Sequence, residues 1–285
     1  MDASESSLII NSKHFHYVSN KLRSFFIEKG FIECHTQNRL SILAACEDPT
    51  TISNFEYAGV KFPLPQTGQM WLEYEMLENP NPPGYFCVST SYRNEPNPVP
   101  GRHELVFPMF EFELKGGFED LWSMEVDLLE HLGYNKRKIR QSTYHSLANQ
   151  FNTVEITHIE EMKLYNEFKC NSFFLTNFPE YTSPFWNMKR GFNTGTANKI
   201  DVILSGMETI GSAERETDID LMRQRFLTIS NGEYAKLLYR HFGCRRVNEE
   251  LDAFLSYKFF PRSGGGIGMT RLIRSMELEG LLPAV

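Results

Sequence analysis

The chain has 285 residues, a formal charge of −7, 41% hydrophobic and 13% aromatic residues. An acidic balance disfavours DNA binding and any tight non-specific grip on nucleic acid, yet leaves room for a small anion held by local arginines. Five scattered cysteines with no C-x-x-C pair support neither a zinc site nor a disulfide framework, and reduced thiols fit the cytoplasm. The N-terminus carries no signal pattern, and no apolar run approaches the ~20 residues of a membrane span.

In chain order, residues 14–29 set Phe15, Val18, Leu22 and Phe25 at three- and four-residue steps, one face of a helix, and Gly30 stops it. Residues 31–34 read as a strand, and 41–60 as a mixed loop. Residues 68–77 are helical. Two strands follow, 85–92 and 106–114, joined by a proline-rich loop, Asn94 to Gly101. A helix covers 118–131. Residues 134–170 give no clear pattern and are set aside as a candidate small insertion in a single domain spanning 1–285. Strands are expected at 173–176 and 199–204, then helices at 221–226, 234–241 and 248–257. The run Ser263-Gly264-Gly265-Gly266-Ile267-Gly268 comes next, ahead of a last helix at 272–279. Hairpin-linked strands with helices elsewhere predict an α+β fold, an antiparallel sheet flanked by helices.

The chemistry gathers at four places. Arg93 ends an apolar strand, and Arg102-His103 lies across the loop; guanidinium groups there suit a phosphate or carboxylate. Phe107 offers a face to a purine. Taken singly, Arg93 reads better as a surface pair with Glu95 or Glu111. Glu111 and Glu113 alternate with Phe110 and Phe112, so one strand face is acidic and suits either solvent or a substrate ammonium. Glu208 follows an apolar strand, where a carboxylate can hold Mg²⁺, and Arg215 is then free to read a substrate carboxylate. A solvated Glu214-Arg215-Glu216 run is the competing local reading. The glycine run closes on Arg271 at a helix start. No G-x-x-x-x-G-K-[ST] occurs, so this is no P-loop.

Together these elements resemble the catalytic core of the class II aminoacyl-tRNA synthetases. SYRNEPNPVPGRHELVFPMFEFE is similar to the family's motif 2 and GGGIGMTRL to motif 3. The helix from residue 14 with its following strand resembles motif 1, the dimer element, with Gln37 where proline is customary. FFLTNFPEYTSPFWNMKR and DVILSGMETIGSAERETD are similar to segments of the aspartate/asparagine branch. TGQMWLE at 67–73 is closer to the asparaginyl form than to the lysine-bearing aspartyl form, and ACED at 45–48 echoes the asparaginyl acidic loop.

The resemblance implies roles for individual residues. Arg93 would bind the α-phosphate of ATP and the reacting carboxylate, with Glu95 near the adenine amino group. Arg102 and His103 would hold the γ-phosphate. Phe107 and Arg271 would sandwich the adenine beside Gly268. Glu208, with Ser212 standing beside the position of the family's second ligand, would bind Mg²⁺. Gln69, Glu73, Glu111 and Arg215 would line the amino-acid pocket. The full synthetases carry an N-terminal anticodon-binding domain for which this chain is expected to have no room. GGGIGMTR and the C-terminal LPAV are also similar to free-standing, ammonia-dependent asparagine synthetases of the same branch.

The expected function is therefore an ATP- and Mg²⁺-dependent, AMP-forming ligase, a cytoplasmic homodimer. It would activate aspartate as an acyl-adenylate and pass it to ammonia. The alternative is adenylation of Asp, Asn or an analogue for transfer to tRNA or another acceptor. A non-catalytic relative that binds an amino acid or a partner is the third reading.

Overall fold

The computed structural model describes residues 10–37, 39–43, 51–191 and 195–283. The ACED segment and the last two residues of LPAV lie outside them. Helix α1 (Ser12–Glu28) begins where the Asn11 side chain accepts from the Lys13 and His14 backbone N–H groups, an N-cap that satisfies otherwise orphaned donors. Its Val18, Leu22 and Phe25 are buried, as the spacing predicts, Phe15 is partly buried, Phe26 joins them in the core, and Gly30 takes φ +81°.

The sheet has eight strands in the order β1-β4-β5-β10-β9-β8-β7-β6. They are β1 (Ile32–Glu33), β4 (Gly84–Tyr92), β5 (Val106–Lys115), β6 (Arg140–Thr143), β7 (Ser172–Pro179), β8 (Thr196–Leu204), β9 (Met207–Glu214) and β10 (Arg262–Gly268). All neighbours are antiparallel except the edge pairs β1/β4 and β6/β7. The expected α+β architecture with a mainly antiparallel sheet is the one observed.

One sheet face is apolar. Phe110, Phe112, Ile200, Val202, Ile210 and Ile267 pack there with α1, α3 (Phe118–Leu132) and α9 (Met269–Leu278). Each fully buried side chain of this size contributes about 1.5–3 kcal/mol. The other face is polar. Helix α2 (Gln69–Glu78) and a second cluster built on α6 (Ile219–Thr228), α7 (Glu233–Phe242) and α8 (Cys244–Leu255) cover its flank.

Three segments depart from the sequence reading. Residues 54–57, inside the stretch 41–60 read as a mixed loop, pair with 60–63 to form the hairpin β2/β3. Met207–Glu214 is a strand, pairing β8 on one side and β10 on the other, and Glu214, Arg215 and Glu216 are buried rather than a solvated run. The glycine run is β10 itself, in mid-sheet. Glycine is a poor strand former, but a Cβ on Gly264 would strike the Glu113 carboxylate and the Phe112 carbonyl. A Cβ on Gly266 would come 2.6 Å from the Met109 methyl. Neighbouring groups fill the space that side chains on β10 would need. Residues 134–170 supply β6 with α4 (Tyr144–Phe151) and α5 (His158–Asn166).

Candidate active site

A cavity of about 310 Å³ opens on the polar face of the sheet. The thirteen residues expected at a site all border it: Gln69 and Glu73 from α2, Arg93 and Glu95 after β4, Arg102 and His103 in the loop, Phe107 and Glu111 on β5, Glu208 and Ser212 on β9, Arg215 just beyond, Gly268 ending β10, and Arg271 in the first turn of α9. Arg93 lies over the Phe107 ring at 5.8 Å.

At the mouth, Arg271 donates to the Glu208 carbonyl at 2.8 Å and to the Arg102 carbonyl at 3.3 Å. It therefore ties β9 to the proline-rich loop. Arg102 donates to both oxygens of Glu161 at 2.8 Å, and the Glu208 backbone N–H donates to the same carboxylate at 2.8 Å. Burial raises the Glu161 pKa, opposed by Arg102. Burial, with Arg271 and Arg102 adding to it against Glu95, lowers the His103 pKa. The Val99 N–H donates to His103 Nδ1 at 3.2 Å. The imidazole is thus neutral at pH 7, with its proton on Nε2.

Deeper in, the charges are paired. Glu111 accepts from Thr67, from the Gly68 N–H at 2.8 Å and from Ser89 at 2.5 Å. Its oxygens build the floor and are taken up by protein donors. Glu73 accepts from Arg262 at 2.5 and 3.0 Å and from Asn187 at 2.6 Å. Glu113 accepts from Gln69 and faces Arg215 at 3.3 Å. Burial raises the Glu113 pKa; Arg215 opposes this and Glu73 adds to it.

The Mg²⁺ assignment needs one correction. Ser212 pairs with Ile200, a core residue, and its hydroxyl donates to the Ile200 carbonyl at 3.3 Å. Strand alternation therefore turns its side chain to the apolar face, away from Glu208. The residue beside Glu208 is Asp201, in register with Gly211: a Cβ on Gly211 would sit 3.1 Å from Glu208 Oε1 and 3.7 Å from Asp201 Oδ1. Two carboxylates converging on one point suit a hard cation that keeps waters and takes its other ligands from phosphate.

Sequence reading missed Asp201, Glu161, Asn187, Arg262 and Lys199, the last ion-paired to Asp201 at 3.2 Å. Lys199 and Asp201 alternate with Ile200 and Val202, a signal that marks a polar strand face. Glu161 gives no local signal, because its partner is distant in sequence.

An antiparallel sheet with an arginine-lined polar face is the fold of class II synthetase catalytic domains. The chain belongs to the family of tRNA synthetases class II (D, K and N), whose model matches residues 1–279. It is 24% identical to the aspartate–tRNA(Asp/Asn) ligase of Methanopyrus kandleri over 91% of this chain and 62% of the relative. Its fold matches the asparaginyl-tRNA synthetase of Pyrococcus horikoshii solved with asparaginyl-adenylate, with a TM-score of 0.74 at 20% identity, over 93% of this chain and 64% of that one. The Entamoeba histolytica asparaginyl-tRNA synthetase in complex with asparaginyl-adenylate gives 0.72 at 19% identity, covering 94% and 63%. The chain thus spans less than two thirds of the length of each of these proteins.

Proposed function

We propose that this chain is an ATP-dependent, AMP-forming ligase that adenylates aspartate and transfers the aspartyl group to ammonia. The observation that carries the reading is the convergence of Arg93 and Arg271, far apart in the sequence, on one cavity that Glu208 also borders. The similarity of GGGIGMTR to free-standing asparagine synthetases favours ammonia as acceptor.

A carboxylate oxygen of aspartate attacks the α-phosphorus and pyrophosphate leaves. Ammonia then attacks the acyl carbon, AMP leaves with the carboxyl oxygen, and a proton is released. Arg93 holds the α-phosphate and the attacking carboxylate together, lowering the repulsion between two anions. Phe107 and Arg271 sandwich the adenine, with Glu95 at its amino group. His103 offers Nε2–H and Arg102 its guanidinium to the γ-phosphate. Asp201 and Glu208 would hold Mg²⁺, which when bound neutralises phosphate charge. Gln69, Glu73 and Arg215 form the amino-acid end. The protein would act in the cytoplasm as a homodimer through α1 and β1, where Ile27 and Ile32 are exposed.

A second reading, transfer to tRNA, is favoured by Glu73 in TGQMWLE, as in the asparaginyl form. Incubation with ATP, Mg²⁺ and aspartate separates the two. Ammonium-dependent AMP release with asparagine formed supports the first. Pyrophosphate exchange without ammonium turnover, together with acylated tRNA, supports the second. Absence of exchange with any amino acid contradicts both.

A further inference from the structure

Arg262 lies at the start of β10 with no exposed surface, an unusual place for a guanidinium. Its Nε and one terminal nitrogen donate to Glu73 Oε2, and the other donates to the Glu216 carbonyl at 3.2 Å. Its Cζ lies 4.8 Å from the centroid of the Phe259 ring. Glu73 is equally buried, and its other oxygen accepts from Asn187 and stands 3.6 Å from Arg215 Nε. Arg215 in turn faces Glu113. Glu73 and Arg215 border the cavity, and Arg262 and Glu113 pair with them from behind its wall, so two guanidinium groups and two carboxylates are packed together at this end.

Asn187 adds an independent observation. It borders the cavity and is buried, and its Nδ2 is committed to Glu73. Its Oδ1 meets no hydrogen-bond donor among the described residues. A buried acceptor left unmade is costly. That oxygen has no accessible surface, so Asn187 bears on a ligand only through the Glu73 carboxylate that its Nδ2 holds in place.

We infer that Arg262 is a positioning residue that sets specificity: acting through Glu73, it keeps the inner end of the cavity neutral. That end then takes a substrate terminus with both donor and acceptor and no net charge, in preference to a lone carboxylate. This rests on the adenylation reading above. Two termini share the required chemistry. One is the α-ammonium and α-carboxylate pair of aspartate, which would leave its β-carboxyl toward Arg93. The other is the carboxamide of asparagine.

The test uses pyrophosphate exchange supported by whichever of aspartate and asparagine is the better substrate, inhibited by succinate or by succinamate. The two inhibitors differ only in a carboxylate replaced by a carboxamide. Wild type and Arg262→Lys should bind succinamate about tenfold more tightly than succinate, the scale of one uncompensated charge contact. Glu73→Gln, leaving Arg262 unopposed, should move the ratio toward succinate. Arg262→Met should move it further toward succinamate. The double variant Glu73→Gln/Arg262→Met, neutral again, should return it toward wild type, and it keeps the test open if a single variant fails to fold. A ratio unmoved across all variants while exchange falls uniformly overturns the inference and makes Arg262 purely structural. Hydroxylamine trapping separates the two sources: β-aspartyl hydroxamate or an asparagine-derived α-hydroxamate agrees with a neutral end. An α-hydroxamate from aspartate overturns it, because the β-carboxylate would then occupy that end alone. A wild type that exchanges with neither amino acid removes the adenylation reading and this inference with it.

Discussion

Single side chains decide most of what this cavity can do. Arg93 and Arg271 reach it from distant parts of the sequence and leave little for a covalent nucleophile to add. Arg93→Ala should cut ATP–pyrophosphate exchange by about 10²–10³-fold, the usual cost of deleting one preorganised charge contact at a reacting centre. Glu208→Gln and Asp201→Asn should each raise the Mg²⁺ concentration needed for half-maximal exchange, whereas Ser212→Ala should leave it unchanged because that hydroxyl faces the Ile200 carbonyl. Gly264 is fixed by space alone. Gly264→Ala should lower stability by about 1–3 kcal/mol or more in a urea titration, since neither the Glu113 carboxylate nor the Phe112 carbonyl can withdraw cheaply.

At the scale of elements, α5 acts on the site through one carboxylate. Glu161 holds Arg102 and the Glu208 backbone together, so Glu161→Ala should raise the KM for ATP several-fold while the KM for the amino acid changes little. Equal rises in both would mean that α5 only supports the fold. Most elements were legible in the sequence because their physics is local: α1 shows its stripe of Phe15, Val18, Leu22 and Phe25, and β4 and β5 show alternation around a proline-rich loop. What stayed hidden depends on partners far along the chain. β10 reads only as a glycine run ahead of a helix until Glu113, Gln69 and Ser212 are known to crowd it. The thirteen residues expected at the site all border one cavity, but their pairing was not readable. Glu73 looked like a bare acid until Arg262 was found upon it, and Ser212 looked like a metal ligand until strand register turned it to the core.

For the molecule as a whole, an apolar layer and a charged layer share one sheet, and Glu125 is the exception that links them. It sits on α3 inside the apolar core, wholly buried against Ser212, with neither oxygen making a well-formed hydrogen bond. Burial pushes its pKa up to about 8 from the usual 4.5, with Ser212 opposing. The folded state therefore keeps this proton at a pH where the unfolded chain has lost it, and stability falls as pH rises from about 4.5 to about 8. Glu125→Gln should remove that dependence, stabilising the protein by on the order of a few kcal/mol at pH 8 and by almost nothing near pH 4.5. Thermal melts at the two values check the sign. The most direct measurement for the whole molecule is ATP–pyrophosphate exchange with aspartate and asparagine, run side by side for wild type, Arg93→Ala and Arg271→Ala. Exchange in the wild type that collapses in both variants while their melting temperatures hold is the expected result. Undiminished exchange in either variant, or none in the wild type with any amino acid, would contradict a shared nucleotide site.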